Sequence, residues 1–276
     1  MEQRRNFKIN GEEIKPGEKK CVFLPMPKLY DCTPLSMPVH VFHGKKPGPV
    51  LSITSAIHGD EVNGVEISRK LIKRLSKVVI SGTLIVVPIV NMYGFLYQDR
   101  YLLDRRDLNR AFPGSAKGSL AGRLARLLID EVISKATHCI DLHTAAIHRS
   151  NLPQIRIDGD SAEDSLLAQA FNAPVVLHSK SIDGSLRKYA HDNHKQFILY
   201  EAGEALRFDD ISIKTGVNGI LGVLQFLGMV SKSRFKIKQF NTTVAKSSYW
   251  IRAPQSGIVL DEKPLGYHIK KGERLA

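Results

Sequence analysis

Residues 50–64 read Val50-Leu51-Ser52-Ile53-Thr54-Ser55-Ala56-Ile57-His58-Gly59-Asp60-Glu61-Val62-Asn63-Gly64, and this stretch decides the fold class. Its first five residues are an apolar run of strand length. Val62, Val65, Ile67, Leu71, Ile72 and Leu75 then recur at helical spacing. His58 and Glu61 therefore fall where a strand ends and a helix begins, the place where α/β proteins gather ligands. A His-x-x-Glu pair sets an imidazole nitrogen and a carboxylate oxygen one helical turn apart, close enough to share a cation at roughly 2.0–2.2 Å from each. The same pair also fits a solvated helix start, so a metal site requires further ligands from elsewhere in the chain.

Working outward, 83–90 reads as a second buried strand, and 91–118 as a long polar, arginine-rich loop of the kind that is functional or mobile. Leu120, Leu124, Leu127, Leu128 and Val132 mark a helix, and 138–143 a short strand. Beyond it, 151–158 reads as extended, 162–171 as helix, 174–177 as strand, 185–194 as helix, 197–200 as buried strand and 212–230 as helix. Apolar strands alternating with amphipathic helices imply an α/β fold whose mostly parallel sheet carries helices on both faces. After residue 235 the texture changes to short strand-like runs and Gly or Pro turns. The expected organisation is a catalytic domain over 1–235 and a small C-terminal all-β module over 236–276. Leu275-Ala276 reads as the start of a strand, so that module is minimal or cut short.

With 276 residues, 43% of them hydrophobic, the chain is long enough to bury a full core. The first 20 residues lack the apolar centre of a signal peptide, and the run 84–90 is too short to span a bilayer, which makes a cytoplasmic protein without membrane contact the expectation. Cys21, Cys32 and Cys139 form neither a disulfide framework nor a Cys-x-x-Cys pattern and read as reduced thiols. The net charge of +13 is spread over short clusters such as Arg4-Arg5, Lys45-Lys46 and Lys270-Lys271, with no nucleic-acid-binding signature. It therefore reads as serving solubility and the attraction of small anions, with no nucleic acid expected as partner. Homo-oligomerisation is left open.

His143, at the end of the strand in Ile140-Asp141-Leu142-His143-Thr144, is the candidate third ligand. His138, His148, His178, His191 and His194 are rivals that end a buried strand less cleanly. Two His and one Glu with an open position is the coordination of a catalytic zinc. Asp141 is placed either to orient a ligand or to serve the sheet's own polar contacts. In the long loop, Arg100-Tyr101 and Asp107-Leu108-Asn109-Arg110 offer guanidinium and amide groups for a carboxylate or an oxyanion, or else a solvated basic loop. Tyr200-Glu201-Ala202-Gly203-Glu204 ends a buried strand with two carboxylates, either of which could be a general base.

Taken together, His58-Gly-Asp-Glu61, Asp107-Leu-Asn-Arg-Ala-Phe-Pro-Gly114, Asp141-Leu-His143 and Glu201-Ala-Gly203 resemble, in order and spacing, the succinylglutamate desuccinylase and aspartoacylase family. That family shares the fold and zinc site of the zinc carboxypeptidases, and the resemblance extends over about residues 40–276, including Ile251-Arg-Ala-Pro-Gln-Ser-Gly257. It implies one Zn2+ per chain held by His58, Glu61 and His143, with Glu201 rather than Glu204 as general base. Asn109 and Arg110 match the pair that grips a substrate carboxylate, and Arg100 the arginine that polarises the scissile carbonyl. Two extra residues between Arg100-Tyr101 and Asp107 leave Arg105 or Arg106 as stand-ins. Arg149, Asn151 and Arg156 are placed to line the site, with Arg156 a substrate contact.

The activity implied is deacylation of an N-acyl amino acid or a related carboxylate-bearing amide. A metallocarboxypeptidase acting on acidic C-termini would use the same zinc, base and clamp. A non-catalytic polyanion binder is the alternative from another class.

Overall fold

The protein is described here by a computed structural model covering residues 4–159, 161–260 and 262–276. Strands β1 (Phe7–Ile9) and β2 (Glu12–Ile14) form an antiparallel hairpin, its turn made by Asn10 and Gly11, both at positive φ. The main body runs β3 (Lys19–Met26), β4 (Leu35–His43), β5 (Lys46–Ser55), α1 (Asn63–Leu75), β6 (Ser81–Val87), α2 (Met92–Tyr97), α3 (Leu120–Glu131) and β7 (His138–Ala145). It continues through β8 (Asn151–Ile157), α4 (Ala162–Phe171), β9 (Val175–His178), α5 (Leu186–Asp192), β10 (Gln196–Glu204), α6 (Asp210–Phe226) and β11 (Thr243–Ala245).

Strands β3 to β11 form one sheet in the order β11-β9-β8-β10-β7-β5-β6-β4-β3. Five of its eight neighbouring pairs are parallel and three antiparallel, so the expected mostly parallel sheet is present within a mixed one.

The pleat divides the side chains between two cores. Leu84 and Val86 of β6, Ile140 and Leu142 of β7, and Ile198, Tyr200 and Ala202 of β10 pack on one face under α1, α4 and α6. Ile85 and Val87, Cys139, and Phe197 and Leu199 point to the other, under α2, α3, α5 and the β1–β2 hairpin. Covering both faces is what allows strands such as β6 and β7 to be apolar almost throughout. Several helices begin at side-chain caps: Ser119, Ser161, Ser185 and Asp209 accept from backbone N–H groups of α3, α4, α5 and α6.

Three regions differ in detail from the sequence expectation. The first 46 residues, for which no strand was expected, supply the antiparallel edge β3–β4. Burial alternates along both strands, but Phe23, Pro25 and Pro38 stand at outward positions and blur the apolar/polar pattern in the sequence. The expected loop 91–118 contains α2 and a single 3-10 turn at Leu108–Arg110, both too short to show helical periodicity.

At the C-terminus, β11 hydrogen-bonds to β9 of the main sheet rather than to strands of its own. Among the described residues after Ala245 there is no helix or strand, and Ile258, Val259 and Leu260 stay exposed. Apolar groups that find no facing layer give such a segment nothing to order it into a sheet. Among the described residues, no helix is long and apolar enough to cross a membrane.

Candidate active site

The registers of three adjacent strands assemble the site. Cys139, Asp141 and His143 share one face of β7, and Phe197, Leu199 and Glu201 share one face of β10. The parallel register pairs Glu201 with His143, so the two side chains emerge as neighbours at the C-terminal ends of their strands. On the other side of β7, Thr54 of β5 pairs with Asp141, and its hydroxyl donates to Asp141 Oδ1 at 2.6 Å. The chain then leaves β5 and turns through His58-Gly59-Asp60-Glu61 into α1. That turn needs glycine, because a Cβ on Gly59 would lie 2.0 Å from the carbonyl carbon of Gly94 in α2.

His58, Glu61 and His143 are 3%, 2% and 4% exposed. His58 Nδ1 lies 2.7 Å from Glu61 Oε1, His143 Nδ1 lies 2.8 Å from Glu61 Oε2, and one ligand atom from each of the three falls within 4.8 Å of the others. No other His, Cys, Asp or Glu trio among the described residues comes together in this way. The remaining ring nitrogens are held from behind: His58 Nε2 is 3.1 Å from Asp107 Oδ1 and His143 Nε2 is 2.8 Å from Asp141 Oδ2. With each Nε2–H donating to a carboxylate, both Nδ1 lone pairs are turned to one point beside Glu61, a second layer characteristic of histidine metal ligands. Two imidazoles and one carboxylate form a donor set that fits a borderline divalent ion such as zinc.

The charges bear this out. Burial opposes ionisation of Glu61, yet His58 and His143 hold its carboxyl well below the usual range. Burial likewise opposes the protonated form of His143, but Asp141 and Glu61 raise it well above an ordinary imidazole. Asp107, despite its burial, is held far down by His58 and by Arg100. The cluster is built for positive charge at its centre.

Around it opens a cavity of about 570 Å3. Among the described residues, five arginines face it, Arg100, Arg110, Arg149, Arg156 and Arg187, against two carboxylates, Glu61 and Glu201. Arg100 reaches Asp107 Oδ2 at 3.1 Å and Glu61 Oε1 at 3.4 Å, which places it beside the metal cluster, whereas Arg105 and Arg106 are exposed and outside the cavity lining. Asn109 is 7% exposed; its Oδ1 accepts from the N–H of Leu186 at 2.9 Å, leaving Nδ2 for a ligand. Arg110, which donates to the Asn109 carbonyl at 2.6 Å, has no carboxylate partner among the described residues.

Glu201 Oε2 accepts from Asn151 Nδ2 at 2.6 Å, and Arg156 Nη1 stands 3.4 Å from Oε1. Burial pushes the Glu201 carboxyl up, only partly offset by the Arg156 charge. The choice between the two carboxylates of that strand end is made by a bulge between Glu201 and Glu204, with Gly203 at φ +74°. Glu204 is turned away, accepting from the His148 N–H and pairing with Arg207.

All eight residues read from the sequence, His58, Glu61, Arg100, Asn109, Arg110, His143, Arg156 and Glu201, line this one cavity. Of the rival histidines only His148 lines it; His138 opens β7 at the opposite end of the strand. Several lining residues were not singled out from the sequence, Arg187 and Trp250 being the largest among them. Arg187, in the first turn of α5, is 8% exposed and donates to Ser179 Oγ and the Lys180 carbonyl, with no carboxylate partner among the described residues. The reading of 185–194 as a helix gave no reason to single out Arg187. Trp250 reaches the cavity from the segment after β11, a tertiary contact without local signal.

A buried His-Glu-His cluster at the strand ends of a mixed α/β sheet, beside a buried carboxylate, defines a metal-dependent amidohydrolase. The chain belongs to the succinylglutamate desuccinylase/aspartoacylase family, whose catalytic-domain model matches residues 47–227. A curated relative, the N-alpha-acetyl-L-2,4-diaminobutyric acid deacetylase of Halomonas elongata, is 25% identical over 240 residues, 83% of this chain and 70% of that protein. Among solved structures, a succinylglutamate desuccinylase/aspartoacylase from Rhodobacter sphaeroides superposes with a TM-score of 0.82 at 22% identity, covering 99% of this chain and 85% of that one. An aspartoacylase family protein from Mesorhizobium loti gives a TM-score of 0.71 at 26% identity, covering 88% and 74%.

Proposed function

We propose that the protein is a zinc-dependent deacylase that hydrolyses the amide of an N-acyl amino acid or a related carboxylate-bearing amide. The observation that carries this reading is the juxtaposition of Glu201 with the His58–Glu61–His143 cluster on the floor of an arginine-lined cavity. His58 Nδ1, His143 Nδ1 and the Glu61 carboxylate would hold the ion. When bound, zinc supplies Lewis acidity, polarising a carbonyl and lowering the pKa of a water.

The chain's own groups do the rest. Glu201, with a carboxyl raised by burial, accepts the proton of the attacking water and returns it to the departing amine. Arg100, at the edge of the cluster, donates to the oxygen on which negative charge develops. Asn109 Nδ2 and the Arg110 guanidinium hold a substrate carboxylate and so set the register of the scissile bond.

Arg187 strengthens the case for an anionic substrate, because a buried guanidinium without a carboxylate partner is normally compensated by a ligand. The amine released by the Halomonas elongata relative carries a second, cationic amino group. Among the described residues, the only carboxylates lining the cavity are those assigned to the metal and to proton transfer, which favours a substrate whose far end is neutral or anionic. We propose that the catalytic unit runs through β11, which pairs with β9 of its sheet, and that the segment after it reaches the cavity through Trp250.

The test is release of primary amine by the zinc-loaded protein from N-acetyl, N-succinyl and N-formyl amino acids, set beside short peptides with acidic C-termini. Release from the acyl amino acids is the expected result. Release from the peptides alone would make the protein a carboxypeptidase, and no release with zinc bound would remove the deacylase assignment for these acyl groups.

A further inference from the structure

The cavity has an outer part that the reaction above does not use. Trp250 is 77% exposed although it lines the cavity, and it is the chain's one tryptophan. The Arg149 guanidinium stands 5.7 Å from the centre of its ring, a cation–π distance that holds a charge against one part of the indole. Ile182, 53% exposed, and Ala146 line the same cavity. Asn109 and Arg187 are by contrast nearly buried, while Arg110, the other member of the carboxylate clamp, is exposed. On its wall the cavity thus combines nearly buried polar groups with an exposed aromatic surface. Its volume of about 570 Å3 lies in the range that accommodates drug-sized ligands.

An exposed indole on a cavity wall keeps apolar surface in water at a cost that a ligand relieves by covering it. Covering a tryptophan face with a flat ring adds the preference of aromatic pairs for offset or edge contact. A substrate whose carboxylate is anchored at Asn109 and Arg110 leaves its acyl end, across the scissile amide, free to meet another part of the cavity wall.

We propose that Trp250 and Arg149 form a subsite for a ring-sized apolar group on the acyl side of the substrate, so that aromatic N-acyl amino acids are preferred over their N-acetyl counterparts. This rests on the deacylase reading for the orientation of the substrate, but not for the existence of the subsite. Trp250 acts here as a specificity residue that touches substrate, and its segment, lying outside the catalytic domain, is what brings selectivity to the site.

The experiment uses the full chain and compares N-benzoyl-L-glutamate with N-acetyl-L-glutamate. Binding is followed by the emission of Trp250, which reports on the subsite alone, and by calorimetry; amine release is measured separately. The benzoyl compound is expected to bind about tenfold more tightly and to change the Trp250 emission. Trp250→Ala is expected to abolish that preference while leaving N-acetyl-L-glutamate affinity within about twofold, and Trp250→Phe to restore part of it. Equal affinities, an unchanged emission, binding of neither compound, or a preference that survives Trp250→Ala would each overturn the proposal. The two readings separate cleanly: tighter benzoyl binding without amine release from either compound keeps the subsite and sinks the deacylase, whereas release from both without preference keeps the deacylase and sinks the subsite.

Discussion

Asp141 accepts a hydrogen bond from His143 Nε2 at 2.8 Å while Thr54 donates to its other oxygen at 2.6 Å, so the imidazole is locked with Nδ1 facing Glu61. Asp141 thereby serves both the ligand and the sheet, since the same carboxylate ties β7 to β5. Replacing Asp141 by Asn keeps the shape but removes the charge that favours the Nε2–H tautomer. The expected result is a loss of zinc affinity of about 10- to 100-fold, measured by competition with a chelator. Unchanged affinity would show that packing alone orients His143.

Glu201→Gln is expected to retain one zinc per chain and to lose about 10²- to 10⁴-fold in kcat, because the amide has the size of the carboxylate but cannot take a proton. Metal content and amine release on the same sample check it. Activity near wild type would remove Glu201 from proton transfer.

Asn151 donates to Glu201 at 2.6 Å and so stabilises its charged form. Asn151→Ala removes that donor, which raises the Glu201 carboxyl further and moves the acidic limb of the kcat/KM profile to higher pH. A loss of kcat/KM on the acidic side that recovers as pH rises is expected. An acidic limb that stays in place would mean that Asn151 shapes the loop rather than the base.

Much of this site was legible from sequence because it is written in local grammar. His-x-x-Glu at a strand-to-helix junction, Asp-Leu-His closing a strand and Glu-Ala-Gly closing another each declare their position by the apolar run before them. What could not be read depends on neighbours distant in sequence. Thr54 meets Asp141 only through register, Arg187 becomes a buried cation only once α5 is packed on the sheet, and Trp250 enters the cavity from beyond the last strand. The antiparallel edge β3–β4 went unread because Phe23, Pro25 and Pro38 occupy outward positions and hide an alternation of burial that is otherwise regular.

Arg110→Ala is expected to raise KM about 10- to 100-fold for substrates with a free carboxylate and much less for the corresponding carboxamides, with kcat little changed. Initial rates on one acyl amino acid and its amide suffice. An equal rise for both would assign Arg110 to the fold instead of the carboxylate.

Away from the site, Asp164 in the first turn of α4 is buried and its carboxyl is pushed up to about 6, although it accepts from the Phe197 N–H at 2.8 Å. Its folded value lies above the unfolded one, so its contribution to stability is full below about pH 4 and is lost as pH rises through about 6. Asp164→Asn keeps an acceptor for Phe197 without the charge. Relative to wild type the variant should gain on the order of 2–3 kcal/mol between pH 4 and pH 7. Denaturant unfolding at the two pH values reads this directly, and a pH-independent difference would contradict it.

The central claim is that His58, Glu61 and His143 hold a single catalytic ion. It is tested most directly by titrating Zn2+ into the metal-stripped protein while following amine release from an N-acyl amino acid that the zinc-loaded protein cleaves. Activity is expected to start near zero, rise linearly and break at one equivalent per chain. Full activity in the stripped protein, or a break at another stoichiometry, would contradict it.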